Sequence, residues 1–393
     1  MKIAVLGAGN GGQAMAAYLA LQGNQVNLYN RSYARIRKVK ELGGIYLEGV
    51  IEGFGSLNKV TVDIAEAIED VQLIMIITPA IAHRYLAKEL APYLNDNHKI
   101  VLNPGRTGGA LEFYNTLRSN NCNTNCIISE AQTFIFASRV IEPGRGKIFA
   151  IKKHVSVAAF PSKRSREIID VLFRVLPQFS PVENVLKTSL DNIGAIFHPA
   201  PTLLNMAWIE DAKGKFYYYQ QGISPAISKI IEEMDQERMN VAKALGVVPL
   251  SAADWLRMSY GAQGKDLYEL LQKNKQYQEI YAPNSINHRY IMEDVPMSLV
   301  PIASLAEHID VKTPTINLII DLANSVCSRD FRVEGRTVQS LGIQDLSVKE
   351  LINLVNNGMT KTVKIKQSIK HKKVKRISNL IYGNFLEYRK EVE

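Results

Sequence analysis

The sequence predicts an α/β protein in which an N-terminal, doubly wound parallel sheet is followed by a second, all-helical domain. Two observations support this fold class. Over roughly the first 160 residues, short runs rich in Val, Ile and Leu alternate with helical stretches, which is the pattern of right-handed βαβ units. From about Leu186 the apolar positions recur every three or four residues, as in "SPAISKIIEEMDQERMNVAKALG", and this period predicts helices.

The predicted strands, in chain order, are "KIAVLGAG", "QVNLYN", "LIMIITPA", "KIVLNPG" and "CIISEA", with a helix between each pair. The segment "GIYLEGVIEGFGSLNKV" predicts a small hairpin insertion. We expect the sheet to continue through "GKIFAIKKHVSVAAF" and a helix at "SREIIDVLFRVL". The predicted divisions are residues 1–185 for the sheet domain, 186–357 for the helical domain and 358–393 for a basic tail.

Composition excludes several classes of protein. A chain of 393 residues with 46% hydrophobic and 22% charged residues is long enough for two packed domains. The longest apolar passage, near Leu73, is shorter than the roughly 20 residues of a membrane span, and no signal-like apolar core follows Met1, so we expect a cytoplasmic protein. Three cysteines, including a lone C-x-x-x-C, predict neither a disulfide framework nor a metal site.

The net charge of +9 has a local origin, because the run from Lys361 to Arg376 carries eight Lys or Arg residues and no acid. Without this run the protein is nearly neutral, which argues against a nucleic-acid-binding surface spread over the fold. We expect the run to be a solvated helix face or a flexible segment; binding to an anionic partner is the alternative.

A glycine-rich turn connects the first strand to the first helix. Gly7, Gly9 and Gly12 form G-x-G-x-x-G, with Asn10 and Gly11 between them. Glycine permits the tight turn and the close approach of backbone to a pyrophosphate, and the helix N-terminus offers free N–H groups. The strand, turn, helix and second strand follow at the expected spacing, so the pattern predicts a Rossmann-type site for a dinucleotide.

The end of the second strand bears on which dinucleotide is bound. An acidic residue there would accept hydrogen bonds from the ribose 2′-hydroxyl, but the sequence has Asn30 followed by Arg31. A neutral residue beside a cation suits a 2′-phosphate, which favours NADP over NAD. The alternative is a solvated Arg31 and use of both cofactors.

Further candidates follow the carboxyl ends of later strands, where α/β sheets bind their ligands. Pro79 and Asn103 are assigned to cofactor contacts on this basis. Arg106, Glu130 and Gln132 could contact nicotinamide or substrate in the same way.

Three polar residues of the helical half are candidates for catalysis. His198 ends an apolar helical run and precedes Pro199, so its imidazole should lie at a helix end. Arg289 and Asp294 stand just before another apolar segment. Each has a structural alternative: a buried core histidine, an i,i+4 pair of Arg289 with Glu293, and an N-cap at Asp294.

Five segments occur in order along the chain: "GAGNGG", "NPGRTGGALEF", "SEAQTFIFASR", "HPAPTLLN" and "RYIMEDVPMSLVP". In these segments the chain resembles the opine dehydrogenase family, of the octopine and nopaline dehydrogenase type, and the resemblance extends along nearly its whole length. The resemblance implies an active site in the cleft between a Rossmann-type and a helical domain. It also implies that His198 and Asp294 form a catalytic pair and that Arg289 binds the carboxylate of a 2-oxo acid. The sequence differs from NADH-using members of the family at Asn30, where those members would have an acidic residue.

The reaction implied by this resemblance joins an amino acid to a 2-oxo acid as an imine, which NAD(P)H reduces to an N-(carboxyalkyl) amino acid. A histidine, with an unperturbed pKa of about 6.5, suits the proton transfers, and a carboxylate on its other nitrogen would orient it. Small-molecule substrates are thus the expected partners, with a homodimer as an option.

Two other readings remain open. A ketopantoate reductase or glycerol-3-phosphate dehydrogenase type of enzyme would share this architecture, but those families commonly use a lysine of the second domain, and no comparable lysine motif is present. A nucleotide-responsive binding protein could keep the fold without turnover. Such a protein would not need His198, Arg289 and Asp294, whereas this sequence retains all three.

Overall fold

The computed structural model of this protein describes residues 1–358. The predicted basic tail, including the run from Lys361 to Arg376, lies outside the described residues apart from Gly358. The strands are β1 (Lys2–Leu6), β2 (Gln25–Tyr29), β3 (Gly44–Gly49), β4 (Gly53–Ser56), β5 (Lys59–Thr61), β6 (Leu73–Ile76), β7 (Lys99–Leu102), β8 (Ile127–Ala131), β9 (Phe136–Glu142), β10 (Arg145–Ile151), β11 (Val155–Phe160) and β12 (Phe179–Pro181).

The main sheet has the strand order β12-β11-β8-β7-β6-β1-β2-β5. Its pairs are parallel except for β11 with β8, which is antiparallel. Strands β1 and β6 read as continuous apolar runs because the sheet is covered on both faces. The order reverses around β1, whose neighbours are β2 on one side and β6 on the other, and such a switch point opens a crevice at the carboxyl ends of the strands. The predicted α/β fold is confirmed.

A second, smaller sheet has the order β4-β3-β10-β9. It contains the predicted hairpin, as β3 and β4, and also the segment "GKIFAI", which we had expected in the main sheet. That expectation is wrong for β10, whereas β11 does join the main sheet. The difference is visible in the exposure of the strand, since β10 alternates between buried and exposed positions, as a half-exposed strand does, while β11 is almost wholly buried.

Helices cover the main sheet and make up nearly all of the chain beyond Val185. They are α1 (Asn10–Leu21), α2 (Tyr33–Leu42), α3 (Ile64–Ile68), α4 (His83–Leu90), α5 (Gly109–Ser119), α6 (Ser165–Leu172), α7 (Val185–Leu190), α8 (Gly194–Phe197), α9 (Pro199–Leu204), α10 (Met206–Ala212), α11 (Pro225–Ala244), α12 (Ala252–Tyr260), α13 (Leu267–Lys273), α14 (Arg289–Met292), α15 (Val300–His308), α16 (Pro314–Cys327), α17 (Phe331–Glu334) and α18 (Val348–Asn357). A π-helical turn, Val295–Leu299, connects α14 to α15.

One hydrophobic core runs from one face of the main sheet into the helices beyond Val185, and a second lies between the other face, α1, α2 and the small sheet. Because the larger core is continuous, the helical part is packed directly against the sheet. The division at residue 185 stays a prediction, as do the homodimer and the cytoplasmic location. No helix within the described residues is both long and apolar enough to cross a membrane.

Buried polar contacts attach the helical part to the strand ends. Arg336, which is fully buried, donates to Glu112 at 2.8 Å and to the carbonyl oxygens of Gly105 and Thr107 at 2.8 and 3.0 Å. It also donates to Nδ1 of His83 at 3.0 Å, and burial together with the Arg336 charge lowers the pKa of His83 to about 3, so this imidazole stays neutral.

Replacing Arg336 should destabilise the whole fold. Arg336→Met leaves Glu112 with Arg84 alone and leaves two buried carbonyl oxygens without a donor, so the free energy of unfolding should fall by about 3 kcal/mol or more. Urea denaturation followed by circular dichroism measures it. Arg332→Met is the control, because Arg332 pairs with Asp321 at the surface and should lose less than about 1 kcal/mol. Equal urea midpoints for Arg336→Met and the wild type would refute the stabilising role of Arg336.

Candidate active site

The glycine turn lies between β1 and α1, as predicted. Gly7 has φ +111°, and a Cβ there would lie 2.5 Å from the carbonyl oxygen of Ile77. A Cβ on Gly12 would lie 1.7 Å from the carbonyl oxygen of Gly7. Only glycine fits these two positions, whereas a Cβ on Gly9 would meet no atom within 4 Å. The open backbone of Gly9, which precedes the free N–H groups of α1, suits a pyrophosphate.

The other predicted cofactor residues surround this turn. Asn30 directly follows β2 and accepts a hydrogen bond from the backbone N–H of Ala8 at 3.1 Å, so it stabilises the turn. Arg31 is exposed, with its guanidinium 5.4 Å from the ring centroid of Tyr85. The side chain of Asn10 points to the small sheet, where it accepts from the N–H of Val140 at 2.9 Å.

A cleft of about 440 Å³ extends from the turn towards the helical part and is lined by Gly9, Asn10, Gly11, Pro79, Asn103, His198 and Arg289, among others. Asn103 is 1% exposed, and neither its Oδ1 nor its Nδ2 has a partner within residues 1–358. A buried amide with both groups free at a strand end fits the carboxamide of a nicotinamide. The described residues therefore fit a dinucleotide cofactor.

His198 and Asp294, which are 96 positions apart in the chain, meet at the far wall of the cleft. His198 connects α8 to α9, and its Nδ1 lies 2.7 Å from Oδ2 of Asp294. Tyr290 stacks on the imidazole with a centroid distance of 4.0 Å. Asp294 is fully buried and holds the N-cap position of the π-helical turn, as the structural alternative supposed, but its side chain makes no capping hydrogen bond. The pairing holds the ring in one orientation and leaves Nε2 for a substrate.

Arg106 contacts Asp294 and its neighbour Glu293, and sequence reasoning did not anticipate these contacts. Its Nη1 lies 3.0 Å from Oδ1 of Asp294, and its Nε donates to Glu293 at 3.3 Å. Glu293 in turn accepts from the N–H of Ala80 at 3.0 Å. Burial would raise the pKa of Glu293, but Arg106, Arg289 and this N–H outweigh it and lower the pKa to about 2. Glu293 is thus an anion, and one buried guanidinium contacts both acids.

The same charges act on His198. Burial lowers the pKa of this imidazole from its usual value, the charges of Arg106 and Arg289 lower it further, and Asp294 opposes them; the net direction is down. The resting imidazole is therefore neutral at pH 7. A neutral imidazole can accept a proton, and Asp294 is placed to stabilise the imidazolium that results.

Arg289 begins α14, and its side chain is 56% exposed at the cleft. Its Nε lies 3.5 Å from Glu293, so the i,i+4 pair is present, but this pair leaves most of the guanidinium free. Of the other candidates, Gln132 lines the cleft. Glu130 is fully buried outside it and accepts hydrogen bonds from the N–H of Ala110 and from the hydroxyl of Thr188.

A wall of aromatic rings borders the cleft on the helical side. Neighbouring rings contact one another with centroid distances between 4.1 and 6.2 Å. The wall consists of Phe197, Trp255, Tyr260, Tyr277 and Tyr219. Tyr219 belongs to the tyrosine-rich run "KFYYYQQG". Phe197 ends α8, Trp255 and Tyr260 both lie on α12, and Tyr277 ends a short 3-10 turn, Lys275–Tyr277. Residues from such distant segments show no common spacing in the sequence.

Comparisons with known proteins agree with this geometry. A family model described as NAD/NADP octopine/nopaline dehydrogenase, alpha-helical domain, matches residues 181–327. A second, for the NAD-dependent glycerol-3-phosphate dehydrogenase N-terminus, matches residues 2–105. The structure of octopine dehydrogenase in complex with NADH and agmatine has a TM-score of 0.75 at 19% identity, over 92% of this chain and 98% of that chain. For NADP⁺-bound yersinopine dehydrogenase the TM-score is 0.69 at 17% identity, over 91% and 98%. These two likenesses show the fold.

Sequence relatives show the family. Octopine dehydrogenase of Pecten maximus is 24% identical over 371 residues, which cover 85% of this chain and 92% of that protein. Opine dehydrogenase of Arthrobacter sp. (strain 1C) is 40% identical over 345 residues, which cover 88% of this chain and 96% of that protein. With that identity over nearly its whole length, this chain belongs to the opine dehydrogenase family.

Proposed function

We propose that this protein condenses an amino acid that has an apolar side chain with a 2-oxo acid such as pyruvate and reduces the resulting imine, with NADPH as the preferred reductant. The chain is an NAD(P)-dependent oxidoreductase of the opine dehydrogenase family. The observation that carries the proposal is the pair of His198, which is partly exposed, with the fully buried Asp294, across the cleft from the glycine turn.

In this proposal His198 moves the protons. Its neutral imidazole accepts a proton from the amine as the C–N bond to the oxo carbon forms, and the imidazolium returns that proton to the oxo oxygen, which becomes a hydroxyl. The imidazole, protonated again from solvent, then protonates this hydroxyl, so that the C–O bond breaks, water leaves and a protonated imine remains. Asp294 stabilises the imidazolium and keeps Nε2 directed at the substrate. When bound, NAD(P)H supplies the hydride that reduces the imine carbon.

Arg289 would bind the carboxylate of the 2-oxo acid. Its guanidinium is mostly free, lies at the cleft and can bind a carboxylate through two parallel hydrogen bonds. Such a clamp places the oxo carbon in a fixed position between the amine and the cofactor. Arg106 is not assigned this role, because Asp294 and Glu293 hold its Nη1 and Nε, and its Nη2, which has no partner within residues 1–358, is buried.

The aromatic wall supports the choice of an apolar amino acid. A cationic side chain could stack on these rings, but it would also need a carboxylate partner in the cleft. Among the described residues that line it, Glu293 is engaged by Arg106, and Asp191 is engaged by Lys187 and Arg238. An apolar or aromatic side chain needs no such partner and gains free energy from contact with the rings.

The first expected outcome concerns substrate dependence. Loss of NADPH absorbance should require both a 2-oxo acid and an amino acid, and phenylalanine or methionine should give a kcat/KM about tenfold or more above that of arginine or aspartate. Steady-state assays over this series measure it. Turnover with the oxo acid alone would favour a hydroxy-acid reductase instead.

The second outcome concerns the catalytic pair. In the oxidation of the N-(carboxyalkyl) product, the neutral imidazole is the base, so the rate rises with pH through the His198 pKa. Because that pKa is lowered, the wild type should stay active below pH ~6.5. Asp294→Asn removes the charge that raises the pKa, so the acid limb should move to still lower pH while kcat falls about 10²- to 10⁴-fold. pH–rate profiles measure both effects.

The control for Asp294→Asn is Asp321→Asn, which changes an exposed carboxylate and should leave the profile unchanged. An Asp294→Asn enzyme with wild-type kcat would contradict the assignment of the pair.

The third outcome concerns the cofactor. Arg31 lines a surface depression with Tyr29, Tyr85 and Lys88, beside the end of β2 where the ribose is expected. Arg31→Ser should raise the KM for NADPH about tenfold and leave that for NADH nearly unchanged, because only NADPH carries the 2′-phosphate. Arg37→Ser is the matched control, since Arg37 lies on α2 and pairs with Glu41. Equal changes for both cofactors would refute a phosphate contact.

A further inference from the structure

Lys152 lies in the connection between β10 and β11, and its side chain lines the cleft opposite the helical part. Its ammonium donates to the hydroxyl of Thr133 at 2.9 Å and to the carbonyl oxygen of Phe134 at 2.7 Å. An ammonium has three N–H donors, so one remains free. Both acceptors are neutral oxygens, and no motif in the sequence singles this lysine out.

Within residues 1–358, no carboxylate lies at ion-pair distance from Lys152. The two arginines that line the cleft have acidic partners. Arg106 pairs with Asp294 and Glu293, and Arg289 makes one contact with Glu293. Burial, together with the charges of Arg106 and Arg289, lowers the pKa of Lys152 to about 8. The ammonium is therefore still charged at pH 7, and an anion in the cleft would stabilise it.

The chemistry of the proposed reaction identifies such an anion. Both substrates carry a carboxylate, and the product holds the two carboxylates on either side of the new C–N bond. Arg289, from the helical part, accounts for the carboxylate of the oxo acid. We propose that Lys152, from the sheet side, binds the α-carboxylate of the amino acid; this assignment rests on the proposed function.

A phosphate of the cofactor is the alternative anion, because Phe134 is next to the glycine turn: a Cβ on Gly11 would lie 2.8 Å from its ring. The backbone N–H groups at the start of α1 suit the pyrophosphate. Of the other cations that line the cleft within residues 1–358, Arg289 is assigned to the oxo acid, and Arg106 keeps only a buried Nη2 without a partner. The KM values of a Lys152 variant for NADPH and for the amino acid distinguish these two anions.

The test compares Lys152→Met with Arg289→Met in steady-state assays of NADPH oxidation. Lys152→Met should raise the KM for the amino acid about tenfold or more, because it removes a charge-assisted hydrogen bond, and should leave the KM for the 2-oxo acid and for NADPH within about twofold. Arg289→Met should give the reverse pattern for the two substrates. If Lys152 had only a structural role, the two variants would not show opposite changes in the KM values for the amino acid and the 2-oxo acid.

A second readout uses the preferred amino acid and the matching amine that lacks the carboxylate, for instance phenylalanine and 2-phenylethylamine. The wild type should prefer the amino acid, and Lys152→Met should reduce that preference about tenfold because the amine has no carboxylate to lose. Lys152→Arg, which keeps the charge, should restore most of the preference. Lys153→Met is the matched control, since this neighbouring lysine is exposed.

Each remaining outcome overturns the assignment. A raised KM for NADPH would place a cofactor phosphate on Lys152, a raised KM for the oxo acid would place the other substrate there, and a fall in kcat with unchanged KM values would make Lys152 a proton carrier. If Lys152→Met does not fold, the same KM values are measured for Lys152→Gln, which keeps a polar group for Thr133 and Phe134. A wild type that needs no amino acid for turnover would instead overturn the proposed function itself.

Discussion

The arrangement of the site depends on one buried carboxylate, that of Asp294. One of its oxygens lies 2.7 Å from His198 and the other 3.0 Å from Arg106, and no part of the side chain is exposed to solvent. A buried carboxyl group is tolerated only where partners compensate the loss of hydration, and His198 and Arg106 are those partners for Asp294. Arg106 extends the network to Glu293, which accepts from the N–H of Ala80 beyond β6.

This network also connects the two parts of the molecule. Ala80 and Arg106 follow β6 and β7 of the main sheet, whereas His198, Glu293 and Asp294 belong to the helical part. The contacts that set the protonation of the imidazole therefore also hold the helical part against the carboxyl ends of the strands. Because the reversal of strand order next to β1 opens its crevice at the same edge, the cofactor turn and the histidine face one cleft.

Much of the fold could be predicted from local pattern. The alternation of strands and helices and the glycine turn are confirmed, since each depends on residues close in the chain. Strand β10 was assigned to the wrong sheet because a short apolar segment does not specify its partner, and its pairing with β3 joins residues about 100 positions apart. Of the site, His198, Arg289 and Asp294 were found through whole motifs that resemble a family, and their roles remain proposals.

The sequence by itself determined the sheet with its dinucleotide turn, the helical second part and the residues that its motifs mark. Tertiary structure alone decided that Arg106 holds Asp294, that Glu130 is a buried anchor outside the cleft, and that five rings from four segments form one wall. It also brought Lys152 into the cleft without a carboxylate partner among the described residues. The physical reason is that local propensity acts over a few residues, whereas the burial and pairing of charges depend on which distant segments pack together.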